Sequence, residues 1–404
     1  MTSPDGGRFS AADSALGYLY QARVALLWSL RRLKASRDFL VSLETLDDVT
    51  FETKGGTPAE LLQTKHHRSR LASLTDASPD LWKTLRVWFS ASASVESSTA
   101  FYLLTTSAAP AGSIAARLRP REGRDVEGAL AAMASVAGSS VSATNAEAYR
   151  AFNRASLAER KKLVDRVFVL DSAPQMADLD AELKADLFWA VSRPHLDAFL
   201  ERLESWWLRR VLKQLASPGL ADRILADEIE AEFSDLQEQF GPEALPIDDD
   251  LLAFDLDEET RLAHAGSTFV RQLQIINAGK VRIAAAVRDY YRAFEQRSRW
   301  IRNDLLLVGD LSRYERRLVE EWELVFEGVK DELGATAAED AKQRAAREVL
   351  KWAESVSMPI RPKVTAPWVT RGSLHMLADG LRLGWHPEFR DRIAAIVGGT
   401  EGLE

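Results

Sequence analysis

At 404 residues the chain is long enough for two domains, and 46% hydrophobic with 28% charged residues is an ordinary globular composition. It contains no cysteine, which excludes a disulfide framework and a thiolate zinc site and fits a cytoplasmic location. The formal net charge of −8 gives no overall basic surplus, so nucleic acid is bound through a local basic face, delivered by a partner, or not bound at all.

The first residues, MTSPDGGRFSAADS, are polar and carry no apolar signal segment, and no run of about 18 apolar residues predicts a membrane span. Leu16, Leu19, Tyr20, Val24, Leu27, Leu30 and Leu33 form a helical apolar stripe that predicts one helix over 14–34, capped by Ser14. Phe39–Leu43 is a short strand, and Asp48–Thr53, alternating and β-branched, is a second. The turn chemistry of Lys54-Gly-Gly-Thr-Pro58 leads into a third strand, Glu60–Lys65. Pro79–Ser90 is a helix, and the continuous apolar run Ala100–Thr106 is a buried strand. Residues 107–145, rich in Ala, Ser and Gly, predict a loop or a loosely packed helical pair, and Val167–Leu170 a last strand.

From Asp178 the pattern is helical nearly to the end, broken at Ser217-Pro-Gly219, Gly241–Pro246 and Met358–Pro362. The acidic segment Asp248–Glu259 is expected to be a solvated loop or a first helical turn. The eleven tryptophans, most of them after Ser205, are expected to be packing anchors, with a binding surface as the alternative. No GxxxxGK[ST] or HExxH occurs. His375 and His386 stand too far apart for a helical zinc pair and are expected to be structural.

The segment between Leu43 and His67 concentrates the chemistry. An acidic cluster, Glu44-Thr-Leu-Asp47-Asp48, is followed by the Gly55-Gly56 turn and then by Gln63, one spacer and Lys65. Metal-assisted phosphodiester hydrolysis needs a carboxylate for a divalent cation and a lysine near the attacking water and the charge developing on phosphorus. Residues i and i+2 of a strand share a face, so Gln63 and Lys65 lie side by side, and the hairpin brings Asp48 beside them. If the first strand continues through Leu46, Asp48 shares a face with Glu44 while Asp47 points away, which favours Asp48 as the metal acid. Spacing alone is equally the pattern of a salt-bridged surface strand.

The order of a Gly17-x-x-x-Gln21 helix, Glu44-x-x-x-Asp48 and Gln63-x-Lys65-His66 resembles the Mrr-like branch of the PD-(D/E)xK restriction-endonuclease fold. More closely, it resembles the DNA-endonuclease domain of bacterial antiphage effectors first associated with cyclic-nucleotide signalling, over roughly residues 14–106. The resemblance implies an α/β domain with a mixed sheet flanked by helices, and hydrolysis of double-stranded DNA with Mg²⁺ or Mn²⁺. It also implies roles. Asp48 is the metal-binding acid, Gln63 the second-strand ligand, Glu44 a further ligand, and Gln21 a helix residue reaching the site. Lys65 positions the water and stabilises charge. Gln63 departs from the usual acid and leaves the site with fewer charges. His66, His67, Arg68 and Arg70 are expected phosphate contacts, with a solvated basic edge as the alternative.

A second resemblance covers about residues 180–390. It rests on Trp206-Trp-Leu-Arg-Arg210, Phe269-x-Arg-Gln-Leu273, the run from Gln296 to Trp322 and Arg371-Gly-Ser-x-His375 through Gly384-Trp-His-Pro387. These look like the C-terminal domain of ABC-three component defence systems, which overlap the systems known as Lamassu. The resemblance implies a mostly α-helical docking domain over 176–404 behind an endonuclease-like domain over 1–175. Its implied partners are an SMC/ABC-type ATPase and a small third subunit, with self-association on activation. The alternatives are a non-catalytic DNA- or protein-binding adaptor and an RNase.

Overall fold

The computed structural model of the chain describes residues 11–67, 72–120, 123–139, 142–217, 222–334 and 336–400; Arg68, Arg70 and the expected break at Pro218-Gly219 lie outside them. Contacts divide the chain into two compact units, Met1–Ser192 with Leu196–Leu236, and Arg193–His195 with Gln237–Glu404.

The first unit opens with α1 (Ala11–Leu33), followed by β1 (Leu40–Leu43), β2 (Val49–Glu52) and β3 (Pro58–Lys65). These three strands form an antiparallel meander, with Leu43 opposite Val49 and Val49 opposite Leu62. Gly56, at φ 82°, closes the β2–β3 turn in a conformation that a side chain resists. After α2 (Pro79–Ala91), β4 (Ala100–Thr105) joins β3 in parallel. Next come α3 (Ile114–Arg117), α4 (Val126–Ser139), α5 (Ala146–Arg154), α6 (Leu157–Val164) and β5 (Val167–Leu170), which lies parallel to β4. The Ala- and Ser-rich stretch is thus helical in α3 and α4, where small side chains let the helices pack closely.

Helices α7 (Leu179–Leu187) and α8 (Leu196–Ala216) pack on α1. The two-residue β6 (Ile224–Leu225) pairs with β1, completing a mixed sheet ordered β5-β4-β3-β2-β1-β6, and α9 (Ala226–Gln239) follows. The first compact unit therefore runs past residue 175, where the sequence turns helical, and takes in the helices that cover α1.

Strand alternation sorts the sheet into two faces. Leu61, Phe101, Leu103, Val167 and Val169 pack with Trp82 and Trp88 of α2 and with α3 to α6. On the other face Trp28 of α1 meets Tyr102 edge-on at 5.6 Å between ring centroids. Tyr20 is fully buried and donates its hydroxyl to the Pro174 carbonyl, 3.0 Å away. The predicted α1 stripe holds from Tyr20 onward, whereas Leu19 is 45% exposed. Strand β3 is where the sheet changes from antiparallel to parallel.

The second unit contains α10 (Asp249–Leu252), α11 (Glu258–Ala263), α12 (Thr268–Ile275), α13 (Lys280–Arg302), α14 (Asp310–Leu333), α15 (Glu339–Ser355), α16 (Pro367–Asp379) and α17 (Phe389–Thr400). The acidic segment 248–259 thus contributes two helical starts joined by a loop. The tryptophans of α13 and α14 are core anchors: Trp300 and Trp322 are buried and donate to the carbonyls of Pro246 (2.7 Å) and Gly384 (2.9 Å). Satisfying the indole N–H is what lets so large a side chain be buried. Gln272 holds the turn after α16, donating to the Ala378 carbonyl at 2.7 Å and accepting from Trp385 N at 3.3 Å. No described helix is long and apolar enough to cross a membrane.

Candidate active site

The residues between β1 and β2 form a turn, not an extension of β1, because Glu44 adopts φ 52° and breaks the pleat. The alternation that put Glu44 and Asp48 on one face of a continuing strand therefore does not apply. The turn closes instead by a bond from Glu44 N to the Asp48 carbonyl at 3.2 Å. Asp48 sits one residue before β2 and, one step beyond the Val49–Leu62 pair, opposite Gln63.

Hydrogen bonding separates the two aspartates of the turn. Asp48 Oδ2 accepts from Thr64 N (2.7 Å) and Thr64 Oγ1 (3.0 Å), tying the turn to the middle of the Gln63-x-Lys65 motif. Asp47 is engaged through both oxygens. Its Oδ2 accepts from the Trp88 indole at 2.6 Å, and its Oδ1 accepts from Asp48 N at 3.0 Å. Asp47 is thus a brace between the turn and α2, whereas only one oxygen of Asp48 carries these bonds.

Lys65 ends β3, half-buried, with Gln63 buried two residues before it. Its positive charge acts on both Glu44 and Asp47. Glu44 is pushed above the ordinary carboxylate range first by burial of its carboxyl and then by the Asp48 charge; a hydrogen bond from Gln21 and the charge of Lys65 oppose this. A carboxylate can only accept, so Gln21 meets Glu44 through its amide N–H. Gln21 Oε1 is buried without a hydrogen-bond partner. These interactions draw Gln21, Glu44, Asp48 and Lys65 together around the end of β3; Gln63 lies one register step beyond the Val49–Leu62 pair, beside Leu103 of β4.

Burial, partly offset by the Trp88 hydrogen bond, pushes Asp47 up to about 6. A folded-state value above the unfolded one of about 3.9 means that the folded chain holds this proton more tightly. This group's contribution to stability is therefore full below about 3.9 and is lost as pH rises through about 6. Urea unfolding across that window should show Asp47→Asn gaining stability relative to the wild type as pH rises.

Of the expected phosphate contacts, the His66 ring lies 4.7 Å from that of Tyr20, tilted by 35°. His67 is held by Asp80, 2.5 Å from its Nε2, and its backbone N–H donates to Thr106 Oγ1 at 2.8 Å. His67 is thus committed to the start of α2. Thr64, Trp88 and Asp80 were not singled out from sequence. Thr64 is the motif's spacer and was legible from the hairpin register; Trp88 and Asp80 lie on a separate helix with no local signal.

The oxygen donors of Glu44, Asp48 and Gln21 suit a hard cation such as Mg²⁺ or Mn²⁺. The unpartnered Gln21 Oε1 is the kind of buried acceptor that a cation or its bound water satisfies. Glu44, Asp47 and Asp48 do not form a tight ligand trio. Among the described residues the one such trio is Glu339, His386 and Glu388, within 4.8 Å of one another. There Arg392 and Lys342 already occupy the carboxylates, so the trio is an ion-pair network in the second unit.

Residues 269–393 match the family described as C-terminal domain 7 of the ABC-three component systems. The matched segment starts at Phe269 of the Phe-x-Arg-Gln-Leu motif and takes in the stretches around Trp300, Trp322 and Trp385. The match links the C-terminal part of the chain to those systems. No curated protein matches the chain.

Proposed function

We propose that this chain is a metal-dependent endonuclease effector of an ABC-three component antiphage system, cutting double-stranded DNA through the site at the end of β3. The observation that carries the proposal is the meeting of the Asp48 turn with Thr64, inside the Gln63-x-Lys65 motif at the end of β3.

Glu44, Asp48 and Gln63 would hold Mg²⁺ or Mn²⁺, which when bound polarises the phosphate and lowers the pKa of a bound water. The remaining work falls to the chain's own side chains. Thr64 fixes Asp48 through Oδ2, which leaves Oδ1 for a ligand. Gln21 steadies Glu44. Asp47 and Trp88 lock the turn against α2. Lys65 presents its ammonium to the attacking water and to the negative charge that grows on the phosphate oxygens in the transition state.

The match over residues 269–393 supports a multi-subunit setting. In this reading the partners are an SMC/ABC-type ATPase and a small third subunit, and activation brings several nuclease centres together by self-association. A net charge of −8 supports delivery to DNA by a partner rather than by the chain's own field.

Asp48→Asn tests the cation site while sparing the fold, because the amide keeps an oxygen for Thr64. Mn²⁺ binding followed by electron paramagnetic resonance should weaken tenfold or more in this variant, about 1.4 kcal/mol or above. Equal Mn²⁺ affinity in the two proteins would remove Asp48 from the cation site.

A further inference from the structure

Within the second unit, α12, α13, α15 and α16 line a half-open cavity of about 210 Å³ that the nuclease reading does not use. One wall is apolar, formed by Leu273, Val281, Ala286 and Leu350. The rest of the lining carries Arg282, Arg288 and Arg371 with two acids, Asp289 and Glu354.

These charges do not cancel. Arg282 is committed to Glu354 through a two-pronged contact of 2.8 and 2.7 Å. Arg371 donates to Asp289 Oδ2 at 2.5 Å. Arg288 is left with a 3.8 Å approach from its Nε to Asp289 Oδ1, too long for a hydrogen bond, and its Nε is buried without a partner. Three guanidiniums thus face two carboxylates.

His375 completes the wall. It is 4% exposed, lines the cavity, and its Nδ1 has no hydrogen-bond partner. Burial and the neighbouring Arg371 hold it well below the ordinary histidine range, at about 3, so it is neutral at physiological pH. A neutral ring hydrogen-bonds a ligand without adding charge. A half-open cleft with surplus positive charge, a guanidinium whose Nε has no hydrogen-bond partner and an unpartnered imidazole nitrogen is complementary to an oxyanion, which Arg takes in a forked contact. The apolar wall favours an aliphatic group behind the anionic head.

We propose that this cavity binds the carboxylate of a short aliphatic group, through Arg288 and His375, with the aliphatic stem against Leu273 and Leu350. Two sources share this chemistry: a free small acid, and the C-terminal carboxylate of an aliphatic residue on a partner chain. The site lies wholly inside residues 269–393, the segment that matches the ABC-three component domain.

Calorimetric titration of the full chain distinguishes them. The probes are isovalerate, an N-acetyl tripeptide ending in leucine as the free acid, the same peptide as the C-terminal amide, and inorganic phosphate. Saturable binding of isovalerate or the peptide acid, without binding of the amide, is expected. The free-acid source is indicated if isovalerate is the tighter, the chain terminus if the peptide acid is. Arg288→Gln should reduce that affinity tenfold or more, and its side chain is exposed enough for the fold to tolerate the change. Arg288→Lys, which keeps the charge but not the fork, should fall between. The proposal is overturned if neither acid binds, if the amide or phosphate binds as well as the acids, or if Arg288→Gln binds like the wild type.

Discussion

Lys65→Ala should lower the rate of DNA cleavage by ~10²–10³ while leaving the fold and DNA affinity nearly unchanged. Lys65 is half-buried at the last position of β3, so truncation opens no large cavity. Its charge lies where it lowers the pKa of both Glu44 and Asp47, so removing it raises both further and makes Glu44 a poorer cation ligand. Two losses therefore add at one position: transition-state charge is no longer neutralised, and the carboxylates are harder to ionise. Lys65→Arg keeps the charge but moves it and broadens the donor, so it should recover the acids' titration more than the rate. Cleavage rate and DNA affinity measured on the same samples separate a catalytic loss from a binding loss. A Lys65→Ala protein that cleaves like the wild type would falsify the role given to this lysine.

The second large effect concerns stability. Gly372 lies where α16 crosses α13, and a Cβ there would stand 2.1 Å from the Asp289 carbonyl oxygen and 2.5 Å from Ala293 Cβ. Neither neighbour is the end of a flexible side chain, so the helices themselves would have to part. Alanine is worth about 1 kcal/mol more than glycine inside a helix, but overpacking of this kind costs about 3 kcal/mol. Gly372→Ala should therefore be destabilising despite its better helix propensity, with a lower urea midpoint and an intact first unit. The Arg-Gly-Ser of the C-terminal motif thus has a packing reason for its middle residue.

Much of the architecture was legible from side-chain periodicity. The apolar repeat of α1 from Tyr20 onward, the β-branched run of β2 and the unbroken apolar run of β4 all correspond to the observed elements. What was not legible has specific causes. Glu44 lies in the left-handed region, which no pattern of apolar residues announces, so the turn at 44–48 looked like more strand. Strand β6 is two residues long, too short for alternation to register. Helices α7 and α8 show where their apolar faces are but not which neighbour those faces cover, and that neighbour is α1 in the first unit.

The candidate site shows the same division. Asp48, Gln63 and Lys65 were legible because a hairpin sets their register. The distinction between Asp47 and Asp48 was argued from a strand that does not continue; the hydrogen bonds to Trp88 and Thr64 now make it. In the second unit, Trp300 and Trp322 were open to reading as interface anchors, and their burial and bonds to Pro246 and Gly384 put them in the core.

The most direct measurement is cleavage of a supercoiled plasmid by the purified chain, alone and together with the subunits that co-purify with it, in millimolar Mg²⁺ with and without EDTA. The account predicts nicked and linear products that require the metal and are lost in Lys65→Ala. Plasmid left intact by both preparations, or cut equally well in EDTA, would contradict it.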